Sequence, residues 1–292
     1  MANVTINSIQ DLVAFSNGDY GYGTAQDYLN VTLTSDLDFN DLKEYDNPYN
    51  WAGCTGTWYV NFNGQGHKID NIYYAGSTDW GFFYETNGGS IKNLKLTNIY
   101  ITTTASSGVI ANRSGGTNFE NVHISGDITA NGYCACFSAY NGSNSGNINV
   151  LNCSFAGSIR STAAHCSLIA SEGYNRSVIV NNFAANGNIS SSSNLYLWGS
   201  SASGMISNAY FIGVASTNRA LYLGLYSGTQ RNAYYVLKSG SKTSAGSYGT
   251  VQNCYYDSTI ATAAGISVSG LTPATTAELQ SMQWLREHNF AI

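Results

Sequence analysis

The sequence predicts a parallel β-helix, a solenoid of about eight to ten coils closed by short helices at its two ends. Three observations carry that prediction: an Asn-centred repeat with a mean spacing of 26 residues, strict two-residue alternation around each Asn, and a low-charge composition rich in Gly and Tyr.

Of 292 residues only 10% are charged, while 31 are Gly, 22 are Tyr and 2 are Pro. A hydrophobic share of 43% can bury a large core, which excludes disorder, and coiled coils need far more Glu, Lys and Leu. A net charge of −5 without a clustered basic face argues against nucleic acid. No stretch approaches the roughly 20 apolar residues of a membrane span, so no membrane insertion is expected. The start Met1-Ala2-Asn3-Val4 lacks the basic and apolar regions of a secretory signal. Cys54, Cys134, Cys136, Cys153, Cys166 and Cys254 lack paired zinc-ligand spacing and are expected to be free, buried thiols.

The first element is a short helix. Ser8 caps it, Leu12 and Phe15 share one face, and Asn17-Gly18 ends it. The repeat follows as IDNIYY, IKNLKL, FENVHI, VLNCSF, VNNFAA, ISNAYF, QRNAYY and VQNCYY. Its asparagines are Asn71, Asn93, Asn121, Asn152, Asn182, Asn208, Asn232 and Asn253, spaced 21 to 31 residues apart. The positions one and three residues after Asn are apolar or aromatic throughout, from Ile72 and Tyr74 to Cys254 and Tyr256. The position between them is mostly polar or Tyr, as in Lys95, His123, Ser154 and Tyr234. That period of two describes a strand with one face in a core and one in solvent. Gly76, Gly126, Gly157, Gly187 and Gly213 follow five residues after their Asn, where a bulge or corner needs a missing side chain.

Each period holds a second apolar stretch, seen at 81–84, 108–111, 135–139, 167–170 and 196–199. One coil therefore carries at least two strands, and consecutive coils stack in parallel about 4.8 Å apart. Asn tolerates the left-handed backbone of a corner, and stacked amides can bond along the axis as a structural ladder. A row of ligand-binding amides is the functional alternative. At the far end Thr275 and Glu278 have capping-box spacing and Leu279, Met282 and Leu285 form one stripe, predicting a helix from Thr276 to His288. Residues 1–272 are thus assigned to the solenoid with its N-terminal cap and 273–292 to a C-terminal helix.

The segments FNGQGHKIDNIYY, GFFYETNGGSIKNLKLTNIYI and GVIANRSGGTNFENVHISGDI resemble the GLUG-type repeats of bacterial surface proteins and related bacteriophage tail proteins. The likeness is good over about residues 1–130 and weaker to 260. Tyr84, Ala111 and Ser138 stand where the pattern has Gly. The resemblance implies a right-handed parallel β-helix with a surface or host-contact role, and no known active site. A start at Met1 without a signal, together with the Tyr- and Gly-rich, low-charge composition, favours the phage version: a non-enzymatic virion protein, assembled in the host cytoplasm, in a tail fibre or other host-contact part. A bacterial cell-surface adhesin is the alternative, and a polysaccharide lyase or glycoside hydrolase comes third. Phage tail β-helices suggest a homotrimer. Expected partners are cell-surface glycans or other virion proteins, with no cofactor.

Chemistry is sparse. Glycoside hydrolysis needs two facing carboxylates, yet between Asp127 and Asp257 the only acid is Glu172. Early coils are richer, with Asp70, Asp79 and Glu85. Asp36, Asp38 and Asp41 form a weak Ca²⁺ candidate, lacking the Gly-punctuated spacing of a calcium loop. His67 is expected to be a corner residue. Tyr73, Tyr210, Tyr234 and Tyr255 occupy the outward column, with Arg231 beside the last two, and are the candidate glycan contacts. Core-edge packing explains the same column. The sequons at Asn112 and Asn175 are expected by chance in so Asn- and Ser-rich a chain.

Overall fold

The computed structural model describes residues 2–141, 146–172, 177–199, 203–225, 227–239, 244–246 and 249–287. It is an all-β parallel solenoid of about eight turns with short flanking helices. Two parallel sheets run along it, one of 16 strands and one of 7. Each turn pairs in parallel with the next, with register shifts after Ile124, after Gly213 and within Cys54–Val60. The inward column Ile69, Leu96, Ile124, Phe155, Ala185, Phe211, Tyr235, Tyr256 is one continuous set of cross-turn partners. All but Tyr256, which is half-buried, lie in the core.

Five of the seven strands of the second sheet are two residues long: Ser107–Gly108, Cys134–Ala135, Cys166–Ser167, Leu195–Tyr196 and Leu221–Tyr222. Just beyond each of the first four lies a pair of buried side chains, Val109/Ile110, Cys136/Phe137, Leu168/Ile169 and Leu197/Trp198. Two consecutive inward residues require a bend rather than a straight strand, which is why these stretches read as short apolar runs.

Close packing of turns depends on one glycine column. Gly126, Gly157, Gly187 and Gly213 are cross-turn partners, and φ is +145°, +140° and +150° at the first three. A methyl group on Gly157 would lie 2.0 Å from the carbonyl oxygen of Gly126. Gly76 pairs with Thr103 and lies outside this column.

The N-terminal helix spans Ile9–Ser16, with Ser8 and Asp11 forming a reciprocal capping box. Leu12 and Phe15 are fully buried, and the Phe15 ring lies 4.5 Å from that of Trp58. Burial of such a side chain contributes about 1.5–3 kcal/mol, so the helix seals the open end of the core. All six cysteines are free and buried.

At the other end the chain differs from a single helix over 276–288. Thr276–Gln280 and Met282–Glu287 are separate helices, because Ser281 is extended at ψ 115° and its Oγ accepts the N–H of Trp284, capping the second helix afresh. His288 lies outside the described residues. The expected capping box of Thr275 and Glu278 is present. A further helix, Ser258–Ala263, is capped by Asp257, whose carboxylate also accepts Thr276 Oγ1 at 2.7 Å. The strand Thr272–Ala274 still pairs with Tyr255–Asp257.

Candidate functional site

The eight repeat asparagines all have φ between +50° and +57°, the left-handed region that Asn enters at least cost among residues with a side chain. Amide contacts run Asn93 to Asn63 (3.1 Å), Asn121 to Asn93 (2.9 Å), Asn182 to Asn152 (2.9 Å), Asn232 to Asn208 (3.2 Å) and Asn253 to Asn232 (3.4 Å). Asn208 bonds Asn181 instead of Asn182. Asn121 and Asn152 do not bond each other, so the row is interrupted there.

Asn71 belongs to another corner. Asp70 pairs with Thr97 and Tyr73 with Tyr100, which puts Asn71 level with Asn98, while Asn93 stands over Gly64. The Asn71 amide donates to Asp38 at 2.8 Å. The segment LTNIYI around Asn98 obeys the same pattern as IDNIYY and is the true equivalent.

The candidate tyrosines separate likewise. Tyr210, Tyr234 and Tyr255 are cross-turn partners. The first two rings stack at 5.1 Å and 12°, and the Tyr255 ring meets Trp284 edge-on at 4.8 Å. Burial, then the neighbouring Tyr210, pushes the Tyr234 hydroxyl up to about 12. Tyr73 lies in a different column, stacked on Tyr100 at 5.6 Å and 4°. Stacking occupies ring faces that would otherwise meet sugars, leaving mainly ring edges and hydroxyls. Arg231 is exposed, three residues before Tyr234.

The early acids are mostly engaged. Asp36 accepts the Lys68 N–H and is hydrogen-bonded to His67 Nδ1 at 3.0 Å, both of which lower its pKa. Asp38 caps the turn Phe39–Leu42, and Asp41 is exposed within that turn. Among the described residues no group of three His, Cys, Asp or Glu side chains could hold a metal. Asp70 is buried; that burial opposes its charge, but the ion pair with Lys68 at 2.6 Å and bonds from Thr97 and Asn98 outweigh it and lower its pKa. Thr57 reaches Glu85 at 3.4 Å.

A feature without sequence periodicity is an open groove of about 610 Å³ between residues 52–56 and 77–81, lined in part by Tyr84. Tyr84 is 36% exposed. The groove also takes in Thr55, Ser77, Thr78 and Asp79, and its rim at Gly56 rests against the Tyr22 ring. Asp79 accepts the Ser106 N–H at 3.0 Å and the Asn112 amide at 3.2 Å, which holds its carboxylate in place. Behind Tyr84 stands Arg113, with its guanidinium 5.9 Å from the Tyr84 ring and 5.2 Å from that of Tyr140. An exposed aromatic ring beside a positioned carboxylate and hydroxyls is suited to holding a sugar ring. Asp79 is the single acid lining the groove, where glycoside hydrolysis ordinarily uses two.

No protein-family model matches the sequence, and no curated protein matches it significantly. Among solved structures, a Bacteroides ovatus protein provisionally named an immunoglobulin A1 protease shares the fold, with a TM-score of 0.56 at 15% identity over 98% of this chain and 87% of that one. At that identity the likeness concerns the fold alone.

Proposed function

We propose that this chain is a non-catalytic binding scaffold of the bacterial cell-surface adhesin type, presenting the Tyr84 groove to glycans. The observation that carries the reading is the groove itself, with its exposed ring, its hydroxyls and the carboxylate of Asp79 on a rigid solenoid. Rigid elements hold such groups without an ordering cost at binding. The engagement of Asp36, Asp38 and Asp70 in corner hydrogen bonds supports a structural role for the early acids.

The fold neighbour comes from a bacterium, which favours the bacterial reading over the virion one. The virion expectation leaned on the position of Met1, which bears on neither reading, and on the Tyr- and Gly-rich, low-charge composition.

A glycan array probed with the native chain, Tyr84→Ala and Asp79→Asn tests the proposal. Binding to a defined set of glycans, weakened about tenfold by loss of the ring at unchanged melting temperature, is expected. No retained glycan, or retention indifferent to both substitutions, would overturn it.

A further inference from the structure

A second cavity, of about 360 Å³, opens on the Asn corner, where Gln65, Asn93, Lys95, Asn121 and His123 converge. We propose that it binds the carboxylate of an acidic sugar. The inference rests on the glycan-binding reading but on different residues from the Tyr84 groove.

The argument begins with charge. Lys68, Lys95 and His123 are successive cross-turn partners in one outward column. Neighbouring turns lie about 4.8 Å apart, so like charges are stacked at short range, an arrangement that costs stability unless each is compensated. Lys68 is compensated by Asp70 at 2.6 Å. Among the described residues no carboxylate lies within 4.0 Å of Lys95. Lys95 lines the cavity as an exposed cation with no carboxylate paired to it.

Hydrogen bonding completes the site. Asn93 and Asn121 each spend one amide N–H on the row below, to Asn63 and Asn93, and each amide has a second N–H to offer. The row stops at Asn121, a cavity-lining residue whose side-chain oxygen receives no bond from Asn152, so its acceptor is left open. His123 is fixed through Nδ1 to Ser154 Oγ at 2.8 Å, leaving Nε2 for a ligand. One cation beside amide donors and an acceptor matches a monoanionic carboxylate carried on a hydroxylated ring. Burial, then the charge of Lys95, lowers the His123 pKa, and an anion seated between the two would reverse the second effect.

The test titrates the native chain and Lys95→Gln with oligogalacturonate, sialyllactose and a hyaluronate oligosaccharide, following the His123 imidazole resonances and the heat of binding. Matched neutral probes are the methyl esters of each, with inorganic phosphate as a further arm. Expected are binding of at least one acid form about tenfold tighter than its ester, a comparable loss in Lys95→Gln, and a shift of His123 on binding. Equal affinity for acid and ester, unchanged affinity in Lys95→Gln, no binding of any acid form, or phosphate binding as tightly as the sugars would overturn it. Neutral-glycan binding that survives in Lys95→Gln but is lost in Tyr84→Ala would leave the adhesin reading standing independently.

Discussion

Replacing Gly187 by Ala probes a close approach between turns. At Gly187 φ is +150° and an added Cβ would lie 1.9 Å from the carbonyl oxygen of Gly157, with that residue's C and N at 2.9 Å. Relief to an ordinary contact requires the two turns to part by about 1.5 Å, which stretches the hydrogen bonds flanking the corner beyond useful length. Two or three such bonds at about 1 kcal/mol each, with backbone strain of about 1–3 kcal/mol, make the expected cost about 3–6 kcal/mol. Gly66→Ala is the control: φ is +86° there and nothing lies within 4 Å of the added methyl, so only the left-handed strain of about 1–2 kcal/mol remains. The assay is urea unfolding followed by circular dichroism, where slopes of about 1–3 kcal/mol per M should separate the two midpoints by roughly 1 M. Equal midpoints for the two variants would refute the claim that turn-to-turn contact, rather than backbone conformation, makes this column glycine.

Asn182→Ala loses both a left-handed preference and the bond to Asn152, and should cost about 2 kcal/mol by urea midpoint; an unchanged midpoint would show that the amide contacts contribute nothing to stability. His165 packs between Tyr133 and Tyr196, and burial first, then Arg219, lowers its pKa. A depressed folded value means that the unfolded chain binds the proton first, so this contribution is present above about pH 6.5 and lost as pH falls through the folded value. His165→Phe should therefore flatten the fall in melting temperature between pH 7 and pH 5, and an unaltered slope would contradict the sign. Burial pushes the Cys153 thiol up to about 12 and raises Cys54, Cys136 and Cys166 well above their ordinary value. Iodoacetamide at pH 8 should label no cysteine in the folded chain and all six in denaturant; rapid labelling of the folded chain would place a thiol at the surface.

The solenoid was legible because a half-buried strand leaves a period of two and a left-handed corner selects Asn, so both signals recur in every turn. Register was less legible. IDNIYY and IKNLKL look alike, yet the turn holding Asn93 bends twice, at Asn93 and Asn98, and only the cross-turn pairing of Tyr73 with Tyr100 tells the corners apart. The 22-residue spacing, followed by one of 28, was the available warning, and the matching LTNIYI segment was the signal passed over. That shift also removed Tyr73 from the column of Tyr210, Tyr234 and Tyr255. The break at Ser281 depends on a serine recapping the chain, a local choice that an apolar stripe cannot reveal. The Tyr84 groove was invisible because Thr55, Thr78 and Tyr84 come together from separate segments with no shared period.

The central claim is binding without turnover. The most direct measurement incubates the purified chain with bacterial and host polysaccharides and with immunoglobulin A1, then examines both the retained material and the supernatant by mass spectrometry. The account predicts glycan retained on the native chain, less on Tyr84→Ala, and no released fragments of sugar or protein. Fragments that disappear in Asp79→Asn would contradict it and make the groove a catalytic one.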